Sequence, residues 1–150
     1  NYMRRWHNKM IRFVTSFSAA GYISYAENML NSVAKYWKDD LKLIAYYHDC
    51  PDELVAEFPY SKVIEYRNLN DVEDMLSYRE SMKVHDGTEG GVVDYNWRMD
   101  AIKWCHKVYA MTDLSLEISE KEIKGGWLIW LDADTQTIKP LSEEIVRLLS

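Results

Sequence analysis

Residues 125–135 of this chain read GGWLIWLDADT. Two glycines precede five consecutive apolar residues, and two aspartates one residue apart, Asp132 and Asp134, end the apolar run. A short apolar run that is rich in aromatic residues and bounded by Gly and Asp is typical of a strand buried on both faces, as in a parallel sheet covered by helices. The sequence therefore predicts an α/β protein with this strand inside its sheet.

The two aspartates follow the predicted strand directly, so we expect them at its carboxyl end. In open α/β sheets, ligands bind outside the carboxyl ends of the strands. Because alternate residues of a strand share a face, Asp132 and Asp134 are expected to turn both carboxylates toward one point. Carboxylate oxygens are the ligands that Mg²⁺ and Mn²⁺ prefer in proteins. The sequence therefore predicts a site for Mn²⁺, or Mg²⁺, at these two residues.

The composition is typical of a single globular domain that covers residues 1–150, with 47% hydrophobic and 28% charged residues. The net charge of −6 and the lack of a basic stripe in the sequence argue against the nucleic-acid backbone as the main partner. No apolar run approaches the roughly 20 residues of a membrane span. Cys50 and Cys105 lack the spacing of a zinc site, so we expect free, buried thiols and a cytoplasmic location.

Strands and helices alternate along the predicted chain. Apolar and β-branched runs predict strands at residues 11–15, 41–47, 62–66 and 127–131, and helical periodicity predicts helices at 22–37, 51–57, 70–82, 97–113 and from 140 onward. Residues 16–21 and 85–96 are predicted loops, and 114–124 stay unassigned. This order implies right-handed crossovers and a Rossmann-like, mostly parallel sheet flanked by helices.

Several other motifs share an Asp-x-Asp pair. Haloacid-dehalogenase-like phosphatases use DxDx[TV] after an apolar strand, but Gln136 stands where that Thr or Val belongs. An EF-hand loop fails because Thr137 replaces the turn glycine and Pro140 interrupts the loop. A solvated turn after a core strand is the alternative that binds nothing.

The segment WLIWLDADTQTIKPLSEEI, residues 127–145, resembles the strand, DxD motif and helix of GT-A glycosyltransferases, in particular the glycogenin and lipopolysaccharide galactosyltransferase group with its phage and bacterial members. The resemblance extends to VTSFSAAGY at 14–22 and to YNWRMDAIKWCHKVYAM at 95–111. It implies the donor-binding part of a GT-A fold, cut off after the DxD strand. The implied reaction is a metal-dependent transfer of a sugar from a nucleotide-diphosphate sugar, most simply a UDP-sugar, to an unknown acceptor.

The resemblance also implies roles for residues near the nucleotide. Thr15 and Ser16 resemble the residues at the end of the first strand that hold the base and ribose. Tyr22 resembles the aromatic residue that stacks on uracil, although its position in the first helix is equally typical of a core residue. Asp49, which follows the second strand, matches a position that often bonds the base or ribose, and a helix cap explains it equally well.

For the diphosphate and the metal, the resemblance implies Arg98, Lys107, Asp132 and Asp134. Asp134 would chelate the metal, and Asp132 would share it or bond the ribose. Arg98 and Lys107 resemble basic residues that approach the diphosphate and sugar, but at 100° per residue they lie on opposite flanks of the predicted helix. The stripe predicted for its buried side contains Trp97, Ala101, Trp104, Cys105, Val108 and Met111.

The third metal ligand of the group, a histidine well beyond the DxD motif, has no counterpart here. His7, His48, His85 and His106 all precede the motif, so we expect them at the surface or supporting a site, and no catalytic residue is assigned. The first residue is Asn, and the last predicted helix begins just after the aspartates, so we expect a longer protein. A non-catalytic assembly or structural protein with this sheet stays an alternative, as does the phosphatase.

Overall fold

The computed structural model describes residues 10–38, 41–120, 126–141 and 147. One sheet contains four strands, in chain order β1 (Met10–Ser18), β2 (Lys42–His48), β3 (Ile64–Asn68) and β4 (Gly126–Trp130). Every neighbouring pair is parallel, and the spatial order is β3-β2-β1-β4. The predicted α/β architecture with a parallel, Rossmann-like sheet flanked by helices is therefore confirmed.

The helices connect the strands and cover the sheet. The α-helices are α1 (Ala19–Gly21), α2 (Glu27–Tyr36), α3 (Asp52–Val55), α4 (Glu73–Ser81) and α5 (Ala101–Glu120), with a π-helical segment at Tyr22–Ala26 and 3₁₀ turns at Leu69–Asp71 and Trp97–Met99. Across the described ranges, no helix has both the length and the apolar character needed to cross a membrane.

Each face of the sheet has its own core, because successive residues of a strand point to opposite sides. On β1, Phe13 and Phe17 point to the side covered by α2 and α3, whereas Val14 points to the side covered by α4 and α5. The first core also contains Leu30 of α2, and the second contains Leu114 of α5; both are fully buried or nearly so. A sheet with apolar layers on both faces explains why β4 is an almost continuous apolar run.

Several predicted boundaries were wrong. Strand β1 continues to Ser18, so the predicted loop at 16–21 is strand and the first turn of helix. Helix α5 continues to Glu120, seven residues beyond the predicted end. Residues 85–96 do form a loop, with one antiparallel bridge from Asp86 to Asp100. Most of the helix predicted from residue 140 lies outside the described residues.

The buried side of α5 also differs from the predicted stripe. Trp97, Trp104 and Val108 are between 42% and 58% exposed. Cys105 of the predicted stripe is buried and Met111 packs partly buried against the same core, and Ala110 and Leu114, which the stripe did not include, are buried beside them. The helical periodicity gave a wrong stripe because it counted large aromatic residues as buried. The side chains of α5 that pack against the sheet are small or aliphatic. Cys50 and Cys105 are free thiols, and Cys105 is the buried one.

A polar contact fixes the carboxyl-terminal half of α5 to the sheet. The hydroxyl of Tyr46 on β2, 1% exposed, donates a hydrogen bond of 2.5 Å to the Asp113 carboxylate. Arg67 of β3 pairs with Glu117, one turn further along α5. Burial, together with the neighbouring carboxylate, raises the pKa of Tyr46, so the hydroxyl stays protonated and remains a donor. These contacts set the position of α5 along β2 and β3.

Replacing Tyr46 by Phe should lower the free energy of unfolding by about 1–2 kcal/mol, because the Asp113 carboxylate loses a donor while the ring still fills the core. A chain of this size should then melt a few degrees lower, which differential scanning calorimetry measures. Tyr47→Phe is the matched control, since no hydrogen bond of the Tyr47 hydroxyl occurs among the described residues. Equal melting temperatures for the two variants would show that the Tyr46–Asp113 contact does not stabilise the fold.

Candidate functional site

The strand order reverses between β1 and β4. The chain moves outward from β1 to β2 and β3, and then returns to pair β4 with the other side of β1. In open parallel sheets, a crevice forms at this reversal outside the carboxyl ends of the two strands, because their connections leave in opposite directions. Asp132 and Asp134 come directly after β4, so they lie at this edge.

The Asp-x-Asp segment forms a fixed turn at the end of β4. The Leu131 N–H donates to the Val14 carbonyl at 2.9 Å, which extends the pairing with β1 by one residue. The Thr135 N–H then donates to the Asp132 carbonyl at 2.9 Å and closes a turn. The two aspartates therefore lie in a turn rather than in the strand itself. Both are exposed, and Ala133 between them is buried and packs in the core.

The segment after the turn is attached to α2 and its end. The indole N–H of Trp37 donates to the Thr137 hydroxyl at 2.9 Å, and the Thr137 N–H donates to the Ser32 hydroxyl at 2.9 Å. The turn is thus held by β1 on one side and by α2 on the other. Because the backbone of the turn is already held in place, a ligand that orders the two carboxylates would cost less conformational entropy.

Two groups approach the Asp132 carboxylate. The indole N–H of Trp130 donates to Oδ1 at 2.6 Å, and the Lys107 ammonium lies 3.9 Å from the same oxygen. Lys107 Nζ also lies 4.7 Å from the centroid of the Trp130 ring, within range of a cation–π interaction. The Asp132 side chain is 73% exposed, so this ion pair is weak. The structure therefore brings Lys107, on α5, to the Asp-x-Asp turn.

Thr15, Ser16 and Tyr22, which were expected to hold the base, are not exposed at the carboxyl edge of the sheet. Thr15 is fully buried inside β1, and no partner for its hydroxyl oxygen exists among the described atoms. Ser16 is half-buried and also lies before the strand end. Tyr22 is 3% exposed and packs against Phe17 and Phe58, with centroids 5.9 Å and 4.7 Å away. Tyr22 is a core residue, and the edge position that Thr15 was expected to fill belongs to Ser18.

Arg98 and Asp49 also lie apart from the Asp-x-Asp contacts. Arg98 is exposed on the 3₁₀ turn before α5, with its guanidinium 5.2 Å from the centroid of the Trp97 ring. Asp49 follows β2 and accepts two hydrogen bonds from Arg79, at 3.0 Å and 3.2 Å. Its φ of 53° lies in the left-handed region, which Asp tolerates better than most residues.

Two buried histidines beside Asp49 form a cluster that the sequence did not predict. His48 and His106 are each 8% exposed, and their rings stack with centroids 3.6 Å apart and planes 18° apart. His48 Nδ1 lies 3.1 Å from Asp49 Oδ2. One donor atom from each of these three residues lies within 4.8 Å of the others. Of the two expected positions for these histidines, at the surface or supporting a site, their burial leaves the second.

Electrostatics keep both rings neutral at neutral pH. Burial lowers the pKa of His48 below its usual range. Burial, followed by the positive charge that His48 and Arg79 would present, lowers the pKa of His106 to about 3. Partial burial alone would raise the pKa of Asp49, but the hydrogen bonds from Arg79 and His48 outweigh it and lower the pKa to about 2. The cluster thus combines two neutral imidazoles with an ionised carboxylate.

Helix α5 connects the two groups of polar residues. His106 packs on His48 at the end of β2, and the next residue, Lys107, reaches Asp132 at the end of β4. The two groups therefore lie on the same edge of the sheet, on either side of β1. His48 and Asp49 at the end of a strand were visible in the sequence, but their partner His106 is 58 positions away in an amphipathic helix and became apparent only in the folded chain.

Comparison of the chain with protein-family models, with curated proteins and with solved structures finds no match.

We predict that the buried His48–His106 pair makes the folded protein less stable in mild acid. The pKa of His106 is lower in the folded protein than its ordinary value of 6.5, so below that value the unfolded chain binds a proton that the folded chain does not. The free energy of unfolding is not affected by protonation of His106 above pH 6.5, and it decreases as the pH falls from 6.5 toward 3. His106 alone should lower the free energy of unfolding by roughly 2 kcal/mol at pH 5. Burial and the charges of His48 and Arg79 oppose its protonation, and the nearby Asp49 carboxylate offsets them only in part.

Calorimetric scans between pH 7.5 and pH 5 measure this effect as a falling melting temperature. In His106→Gln, which cannot take up the proton, the melting temperature should change less over the same range. His85→Gln is the matched control, because His85 is exposed and lies outside the cluster. A wild-type melting temperature that stays constant down to pH 5 would contradict a buried neutral pair.

Proposed function

We propose that this protein binds a nucleotide-diphosphate sugar through a divalent metal at Asp132 and Asp134 and acts as a glycosyltransferase. The observation that carries the proposal is the position of the anchored Asp-x-Asp turn at the carboxyl end of β4, beside β1, where the strand order reverses. This is the position at which parallel α/β sheets bind phosphorylated ligands. Both carboxylates are exposed there, on a backbone fixed by hydrogen bonds on two sides.

The residues at the turn fit a hard cation such as Mn²⁺ or Mg²⁺. Asp132 and Asp134 provide only oxygen donors, and two carboxylates with further oxygens from a diphosphate are a usual ligand set for these ions. When bound, the metal neutralises the negative charge that develops on the diphosphate as the sugar leaves. Trp130 donates to one oxygen of Asp132 and so holds that carboxylate at the edge of the sheet.

Lys107 places a positive charge of the chain at this position. It lies 3.9 Å from Asp132, and the Trp130 ring beneath it restricts where the ammonium can move. A diphosphate that arrives with its metal would present oxygens to the same place, and Lys107 would bind them as a point charge. In the protein alone, Lys107 offsets the charge of Asp132; with the donor bound, it stabilises the diphosphate.

Isothermal titration of UDP and of UDP-sugars tests the metal site. Affinity should depend on Mn²⁺, and Asp134→Asn should weaken the Mn²⁺-dependent binding by about tenfold or more, because the variant removes a charged ligand without changing the side-chain size. Asp74→Asn, an exposed position in the first turn of α4, is the matched control and should bind like the wild type. Binding that does not depend on Mn²⁺, or that Asp134→Asn leaves unchanged, would refute the proposal.

Lys107→Gln should separate the two roles of the lysine. Without nucleotide, Mn²⁺ should bind slightly more tightly, because the competing ammonium is gone and an exposed pair at 3.9 Å is worth at most about 1 kcal/mol. With Mn²⁺ present, UDP should bind about fivefold more weakly, because the diphosphate loses a cation. The matched control is Lys103→Gln, one turn earlier on α5 and exposed. If both lysine variants weaken UDP binding equally, the effect is one of net charge and Lys107 has no specific role.

A further inference from the structure

The cluster of His48, Asp49 and His106 has a donor set different from that of the Asp-x-Asp turn. It offers two imidazole nitrogens and one carboxylate oxygen, all within 4.8 Å of one another, at the carboxyl end of β2. Imidazole suits Zn²⁺, Co²⁺ and related ions, whereas an all-oxygen set suits Mg²⁺ and Mn²⁺. The two histidines are buried and the Asp49 side chain is 48% exposed, so an ion can enter from the Asp49 side.

The histidine nitrogens are available as ligands. His106 Nε2 is buried and has no hydrogen-bond partner among the described atoms, which is a costly state for a polar nitrogen. Because an ionised carboxylate only accepts, the contact at 3.1 Å requires that the neutral His48 carry its proton on Nδ1 and leave the lone pair of Nε2 free. Both rings are therefore in the neutral form that binds metals, and one nitrogen lacks the partner that a purely structural role would supply.

We propose that His48, Asp49 and His106 bind a divalent transition metal of the Zn²⁺ class, separate from the metal of the Asp-x-Asp turn. Three protein ligands of this kind leave a fourth position for water or another oxygen, as in zinc sites that are open to solvent. The site goes beyond the glycosyltransferase proposal and does not depend on it, because none of its three ligands belongs to the Asp-x-Asp turn.

Arg79 of α4 completes the surroundings of this site. It donates to both oxygens of Asp49, at 3.2 Å and 3.0 Å, and the Asn70 amide lies 3.4 Å from Oδ1. Outer hydrogen bonds of this kind orient a carboxylate that binds a metal. Metal–nitrogen bonds of roughly 2.0–2.1 Å require the two rings to turn out of their parallel stack, so that their lone pairs converge on the ion. Binding therefore exchanges the ring stack and the His48–Asp49 hydrogen bond for bonds to the metal.

Titration with Co²⁺ alone tests the site, because the visible absorption of Co²⁺ increases strongly when protein nitrogens replace water in a four- or five-coordinate site. The experiment uses the Asp132→Asn, Asp134→Asn double variant beside the wild type, so that the other proposed site cannot contribute. Both proteins should develop the band, and added Zn²⁺ should remove it. His106→Gln and Asp49→Asn should each weaken Co²⁺ binding by about tenfold or more.

His85→Gln, which removes an exposed histidine outside the cluster, is the matched control and should keep the wild-type affinity. Circular dichroism shows whether His106→Gln folds. If it does not fold, Asp49→Asn still tests the site, because Asn tolerates the positive φ at this position and this variant is expected to fold. The proposal is overturned if the wild type develops no band, if both cluster variants keep the full band, or if the band disappears only in the double aspartate variant. None of these outcomes depends on whether UDP binds.

Discussion

The pairing of β4 with β1 is the contact on which the rest of the arrangement depends. Five residues of β4 lie beside β1 in parallel register, and the Leu131 N–H continues the pairing to the Val14 carbonyl. Because β2 occupies the other side of β1, this pairing reverses the strand order, and the carboxyl edge at such a reversal is where open α/β sheets bind ligands. It also fixes where the Asp-x-Asp turn begins. Without it, the two carboxylates would be an exposed acidic pair with no defined position.

Helix α5 places polar side chains at two points along this edge. Small and aliphatic residues hold it to the sheet, and the Tyr46–Asp113 and Arg67–Glu117 contacts hold its second half to β2 and β3. With that position set, two consecutive residues of its first half, His106 and Lys107, serve the ends of β2 and β4. The all-oxygen pair at β4 and the nitrogen-rich cluster at β2 have donor atoms that favour different ions, so the two proposed metal sites would select different classes of metal.

The sequence predicted the elements and the sheet better than the site. The apolar run 127–131 and the alternating order were sufficient for a parallel sheet, and the Asp-x-Asp pair was placed correctly at a strand end, because these features depend on local pattern. Thr15 was misplaced because a strand of small residues that continues to Ser18 resembles a loop in the sequence. Tyr22 and the His48–His106 stack depend on contacts between distant segments, which no local pattern encodes.

Paramagnetic broadening tests most directly whether the carboxyl edge at β1 and β4 binds the metal and the nucleotide together. Amide spectra of the ¹⁵N-labelled protein with UDP, recorded with Mg²⁺ and then with trace Mn²⁺, locate the ion by its distance-dependent effect on each signal. Signals of the Asp132–Thr135 turn and of Ser18 should broaden first, followed by those around Lys107, while the amino end of β1 at Ile11 should keep its signal. Broadening centred on another part of the chain, or none that requires UDP, would contradict this prediction.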